Sequence, residues 1–212
     1  MIIIPEMFRK TQITIEKVIR LVISSMVKRR ILGQKSGVVV VSEGIFHFLK
    51  NEDIVSSGII FDYDAHGHPE LSEVSKAHVI TRILKKSLRE LGLNIICRPV
   101  EVGYSLRCTD PSAFDLTYCT TLGIGVKKLY EEGYTGCMVA VNLEEEVIPV
   151  YLKDVEDGNG KIRTRLVNVE KEVVHQTLYE NIYYLTEADR EKAKEWLKHP
   201  EEYEYRTILE ND

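Results

Sequence analysis

Two short, unbroken apolar runs constrain this chain more than any other feature. Met1-Ile2-Ile3-Ile4 opens it, and Gly37-Val38-Val39-Val40-Val41 follows after a stretch of helical pattern. A strand solvated on one face alternates polar and apolar residues, whereas a continuous apolar run reads as a strand buried on both faces. Between the runs, residues 11–30 carry Ile15, Val18, Ile19, Val22, Ile23 and Met26 at helical spacing. Thr14 is placed to cap that helix, Lys28, Arg29 and Arg30 complement the dipole at its end, and Gly33 breaks it. Strand, helix and strand in this order predict a parallel βαβ unit. A buried strand at the first residues leads to the expectation of further chain upstream.

The order continues in the same style. Residues 56–71 read as an irregular surface excursion, after which Ser72 opens a second helix. Val79, Ile80, Ile83, Leu84, Leu88 and Leu91 form its core stripe, and Gly92 closes it. Asn94 to Cys97 reads as a short strand. Asp110-Pro111 predicts a helix start, a capping carboxylate followed by proline at the first helical position. That helix runs through Phe114, Tyr118, Leu122, Val126 and Leu129 to Gly133. Cys137–Val141 and Val147–Leu152, separated by an acidic turn, predict a hairpin. The remainder is polar and partly helical, with residues 187–197 the clearest helix and residues 200–212 an acidic, frayed end. The fold class is α/β with mixed sheet pairing late in the chain. Residues 1–152 are read as one α/β region, and 153–212 as an extension packing on it.

At 44% hydrophobic and 29% charged residues, the chain can bury a substantial core. Its net charge of −5 argues against a protein that coats nucleic acid, though not against a local basic pocket. No apolar run approaches the roughly 18–20 residues that span a bilayer. The first residues, which carry proline and an acidic side chain, do not resemble a secretory signal. Cys97, Cys108, Cys119 and Cys137 form no CxxC pair, so a zinc ribbon or thioredoxin-like site is not expected. Reduced cysteines in a cytoplasmic protein are.

In an open α/β sheet, ligands gather beyond the carboxyl ends of the strands. Glu43, with Gly44 beside it, follows the 37–41 strand; Arg98 follows the 94–97 strand; Tyr104 and Arg107 lie in the loop after it. Two guanidinium forks, a phenol and a carboxylate suit a phosphorylated sugar: arginines grip phosphate oxygens and the carboxylate accepts from hydroxyls. The plainer reading, solvated charges in surface ion pairs, stays open on the residues alone. Asp62-Tyr63-Asp64-Ala65-His66-Gly67-His68 has metal-ligand chemistry, but its polar glycine-containing setting favours a hydrogen-bonded turn. His47 reads as a packed histidine, and Tyr63, Tyr179, Tyr183 and Tyr184 as cover for core edges. Phosphate-cradling glycine motifs, a nucleophile elbow and HExxH are absent, and Gly123 and Gly125 fall inside a predicted helix. The residues thus describe a receptor without an obvious catalytic base.

The run Arg98-Pro-Val-Glu-Val-Gly-Tyr104-Ser-Leu-Arg107, followed by Asp110-Pro-Ser-Ala-Phe-Asp115, resembles the C-terminal half of a 6-phosphofructokinase. Tyr104 at a position where ATP-dependent members carry histidine, and Cys108-Thr109 in place of two glycines, make it most like the pyrophosphate-dependent branch. The opening strand, the Ser-Glu-Gly end at Glu43 and the loop through His66 and His68 are also similar to that branch. The resemblance implies a three-layer α/β/α sheet and a glycolytic phosphotransferase acting on the 1-hydroxyl of fructose 6-phosphate, with pyrophosphate, or less readily ATP, as donor. It assigns Glu43, Arg98, Tyr104 and Arg107 to fructose 6-phosphate, the arginines near its 6-phosphate, and leaves Asp115 structural. The family's Gly-Gly-Asp donor loop, Thr-x-Asp base and Met-Gly-Arg segment are absent here. Mg²⁺, held with the donor, is therefore expected mainly through the missing N-terminal half, this chain being read as a fragment, a truncated form or one piece of a split enzyme, with a homo-oligomer or a partner N-terminal half expected. The rival reading is a non-catalytic sugar-phosphate-binding or regulatory subunit that pairs with a catalytic homologue.

Overall fold

The computed structural model describes residues 1–50, 52–53, 75–103, 108–142, 144–156 and 166–210. They divide into two compact units, Met1–Glu101 with Val167–Asp212, and Val102–Leu166. The boundary read from sequence after residue 152 falls inside the second unit.

The first unit is built around α1 (Ile15–Ile31). Thr14 caps it, its hydroxyl accepting from the Lys17 N–H at 3.2 Å, so Thr11 to Thr14 stay outside the helix. Gly33, at φ +74°, takes the left-handed conformation that ends it. Val18, Leu21, Val22 and Val27 are at most 1% exposed, and full burial of each side chain contributes about 1.5–3 kcal/mol. Flanking the helix, β1 (Ile2–Ile3) and β2 (Val40–Val41) pair in parallel, Ile2 opposite Val40 and Ile3 opposite Val41. This is the expected βαβ unit. Burial on both faces holds for Ile3 but not for the second run, where Val38 is 75% and Val40 55% exposed. A two-stranded ladder leaves β2 uncovered among the described residues.

α2 (Lys76–Glu90) starts at Ser75, whose hydroxyl accepts from the His78 N–H; Ser72 lies outside the described residues. The helix buries Val79, Ile80, Leu84 and Leu88 against the α1 core and closes at Gly92, φ +70°. Asn94–Cys97, expected as a strand, pairs with no strand among the described residues, although burial still alternates residue by residue from Ile95 to Val100.

The C-terminal residues complete this core. α4 (Glu172–His175) runs into a π-helical turn at Gln176–Glu180. The helix expected over 187–197 is a 3₁₀ turn, Glu187–Asp189, leading into the short α5 (Arg190–Ala193). The expected fraying beyond residue 200 is corrected: a turn at Pro200–Tyr203 and α6 (Tyr205–Glu210) pack on α1, burying Ile208 and Leu209. Glu201 and Glu210 face water, Glu204 is buried and pairs with Arg190, and the apolar residues at helical spacing face the core.

The second unit pairs α3 (Ala113–Glu131) with the antiparallel hairpin of β3 (Cys137–Val141) and β4 (Val147–Tyr151), Val139 standing opposite Pro149. Asn142 shapes the turn, its side-chain oxygen accepting from the N–H groups of Glu144 and Glu146. The cap of α3 is Ser112, not Asp110. Ser112 and Asp115 form a reciprocal capping box, which satisfies two free N–H groups where Asp110 would satisfy one. The fold is α/β, with small parallel and antiparallel sheets among the described residues.

Candidate functional site

At the carboxyl end of the parallel pair, Pro5 follows β1 and Ser42-Glu43-Gly44 follows β2. A Cβ on Gly44 would lie 3.3 Å from the Pro5 ring, so glycine allows the two strand ends to meet. The Ser42 hydroxyl accepts from the Gly44 N–H, opening a 3₁₀ turn at Glu43–Phe48. Ile45, Phe46 and Leu49 point into the core, while His47 and Phe48 are exposed. His47 is thus not the packed residue expected; the tighter 3₁₀ period turns it outward.

Glu43 is exposed and pairs with Lys76, the first residue of α2. Glu101, on the segment that follows Arg98, lies at the same helix end. Its carboxyl is held below the ordinary carboxylate value chiefly by the Ser75 hydroxyl, with the N–H groups of Ala77 and Lys76 also donating to it. Arg98 is exposed and makes no hydrogen bond or ion pair among the described residues. Cys97, half-buried beside it, has its thiol pushed up by burial, partly offset by Lys85, and stays protonated. Glu43 follows β2, whereas Arg98 follows a segment that pairs with no strand among the described residues; both lie in the first unit. Tyr104 and Arg107 lie outside the described residues, as does the loop from Asp62 to His68.

Asp115 is structural, as expected: its carboxylate accepts from the Ser112 hydroxyl at 2.6 Å and the Ser112 N–H at 2.8 Å. The hydroxyl is the main cause of its depressed pKa. Tyr184 is a core residue at 3% exposure, and Tyr183 lies under the Arg29 guanidinium. All four cysteines are free thiols. Among the described residues, no three His, Cys, Asp or Glu side chains gather in metal-binding geometry, and no helix is long and apolar enough to cross a membrane. A cavity of about 380 Å³ lies elsewhere in the first unit, lined in part by Arg29, Arg30, Lys35 and Tyr183; neither Glu43 nor Arg98 lines it. The residue that sequence reading missed is Lys76. Its only local signal is a cation at a helix N-terminus, where the dipole disfavours one.

No protein-family model matches the chain. It is 31% identical over 175 residues to the pyrophosphate–fructose 6-phosphate 1-phosphotransferase of Thermotoga maritima, a match covering 80% of this chain and 41% of that protein. The enzyme of the same name from Naegleria fowleri is 30% identical over 179 residues, with the same shares. That of Entamoeba histolytica is 33% identical over 148 residues, 57% of this chain and 27% of the relative. The chain spans about two-fifths of the length of the first of these curated relatives, as the C-terminal half of such a protein would. It is a homologue of the pyrophosphate-dependent 6-phosphofructokinases.

Proposed function

We propose that this chain supplies the fructose 6-phosphate side of a pyrophosphate-dependent phosphofructokinase. The observation that carries the reading is the match over 80% of the chain to relatives bearing that name, joined to the Arg98–Arg107 motif. Arg98 and Arg107 grip the 6-phosphate in forked geometry, the Tyr104 hydroxyl donates to the same sugar phosphate, and Glu43 accepts from sugar hydroxyls. The unpaired, exposed Arg98 is in the state such a ligand requires. In the complete enzyme a phosphoryl group passes from pyrophosphate to the 1-hydroxyl, a transfer that depends on donor, base and acceptor being held in line.

Mg²⁺ belongs with the donor. The described residues hold no cluster of ligands that fits it, and no step on this chain is assigned to it. The donor loop and base motifs are absent from this sequence, so the working enzyme joins these residues to a half that carries them, on the same polypeptide or on a partner, in a cytoplasmic assembly with a three-layer sheet. Exposed apolar residues on α3, among them Phe114 at 73%, Ile124 at 64% and Tyr130 at 80%, support a covering partner.

Calorimetric titration with fructose 6-phosphate tests the reading. The wild-type chain is expected to bind saturably, and Arg107→Ala to lose about tenfold or more, as expected for a charged hydrogen-bonding group. Absence of binding by the wild-type chain would refute it.

A further inference from the structure

We propose that Lys76 is a specificity-determining ligand of this sugar-phosphate site, an inference that rests on the reading above. Lys76 opens α2, yet its ammonium reaches to Glu43 at the end of β2. A cation at a helix N-terminus works against the dipole, and an exposed ion pair adds little to stability. Neither helix formation nor folding accounts for a lysine at this position.

The surroundings do. Glu101 accepts from the N–H groups of Lys76 and Ala77 at the helix end and from the Ser75 hydroxyl. That leaves the Lys76 side chain to act away from its own helix. One turn, Ser75 to Ala77, thereby ties the Glu43 end of β2 to the segment carrying Arg98, three residues before Glu101. Glu43 thus meets the Lys76 ammonium directly, while Glu101, three residues after Arg98, holds the same turn.

The chemistry of the ligand needs such a group. An ionised carboxylate can accept from sugar hydroxyls, but alone it repels a phosphate dianion. An ammonium carries three donors. One holds Glu43 in position, and the others are available to an anionic or hydroxyl oxygen of the sugar phosphate. The Glu43–Lys76 pair thus selects a ligand offering a hydroxyl donor beside an oxygen acceptor, while Lys76 offsets the repulsion between Glu43 and phosphate.

The test is calorimetry of the full chain with fructose 6-phosphate, comparing wild type, Lys76→Met and Lys76→Arg, with thermal midpoints measured in parallel. Lys76→Met is expected to bind about tenfold more weakly with a near-wild-type midpoint, and Lys76→Arg to stay within about threefold, because charge and donors return. Equal binding by wild type and Lys76→Met overturns the assignment and leaves the sugar-phosphate reading standing. Equal loss in the methionine and arginine variants overturns it as well, since charge would then not be the cause. If wild type does not bind, the sugar-phosphate reading falls and this inference with it.

Discussion

Single polar atoms inside the first unit tie its terminal residues to α1. Ser24, with no exposed surface, accepts from the Leu185 N–H at 2.9 Å. Asp189 accepts from Lys28 at 2.7 and 2.8 Å and from the N–H and hydroxyl of Thr186 at 3.0 and 2.8 Å. Burial raises the Asp189 pKa, but the Lys28 and Thr186 contacts outweigh it and leave the carboxyl below its ordinary value. A folded pKa below the unfolded one contributes stability above the unfolded value, which is lost as pH falls through the folded one. Lys28→Met removes the main partner and leaves a largely buried carboxylate, costing about 2 kcal/mol. Melting curves at neutral pH should show a midpoint lower by roughly 4–8 °C. Acid titration should narrow the stability gap between wild type and variant, because the contribution of the Lys28 contact is lost as Asp189 becomes protonated. An unchanged midpoint would assign the pair no stabilising role. Thr14 as a cap could be read from local pattern. The Lys28–Asp189 pair could not, because its members are 161 residues apart.

Two glycines in α3 separate helix propensity from packing. A Cβ on Gly125 would lie 2.7 Å from the Val139 side chain and 2.8 Å from that of Val147, whereas one on Gly123 meets nothing within 4 Å. Valine is stiff about its first torsion and cannot swing clear. Gly123→Ala should therefore stabilise the chain by about 0.5–1 kcal/mol through propensity alone. Gly125→Ala should destabilise it by about 1–2 kcal/mol, the overpacking exceeding the same gain. Denaturant midpoints of the two variants, expected on opposite sides of wild type, check this. The sequence placed both glycines inside a helix, but which one faces the hairpin depends on the register of α3 against β3 and β4. Ser112 and Asp115 fit the capping-box spacing as they stand, yet Asp110-Pro111 carries an equally strong start signal. Only the reciprocal hydrogen bonds distinguish the two starts.

At the scale of the whole molecule, the sugar-phosphate reading makes one demand on activity. The purified chain, supplied with pyrophosphate or ATP, Mg²⁺ and fructose 6-phosphate, is expected to show no turnover. Turnover should appear only when a polypeptide with the Gly-Gly-Asp and Thr-x-Asp motifs is added, because in-line transfer needs all reacting groups in one geometry. A coupled assay for fructose 1,6-bisphosphate checks this, and activity of the chain alone would contradict it. The exposed valines Val38, Val39 and Val40 and the apolar residues exposed on α3 belong to the same scale: their burial depends on neighbours that lie outside any local window.

What could be read from order and spacing was local. The parallel βαβ unit, the α2 stripe, the β3–β4 hairpin, and the glycine ends at Gly33, Gly92 and Gly133 each follow from the backbone preferences and periodicity of adjacent residues. The motifs that hold Glu43 and Arg98 could be recognised for the same reason, since each is a short run of adjacent residues; their part in binding is the proposal made above. Contacts across long sequence separations were not legible: the Glu43–Lys76 pair, Glu101 on the α2 terminus, the seating of α6 on α1, and the exposure of His47 and β2. Each depends on which surfaces meet in three dimensions, and periodicity shows that a helix has an apolar face without naming what that face will touch. The opening pair of apolar runs illustrates both halves. Their order and composition specify parallel pairing, while their burial rests on the layers packed around them.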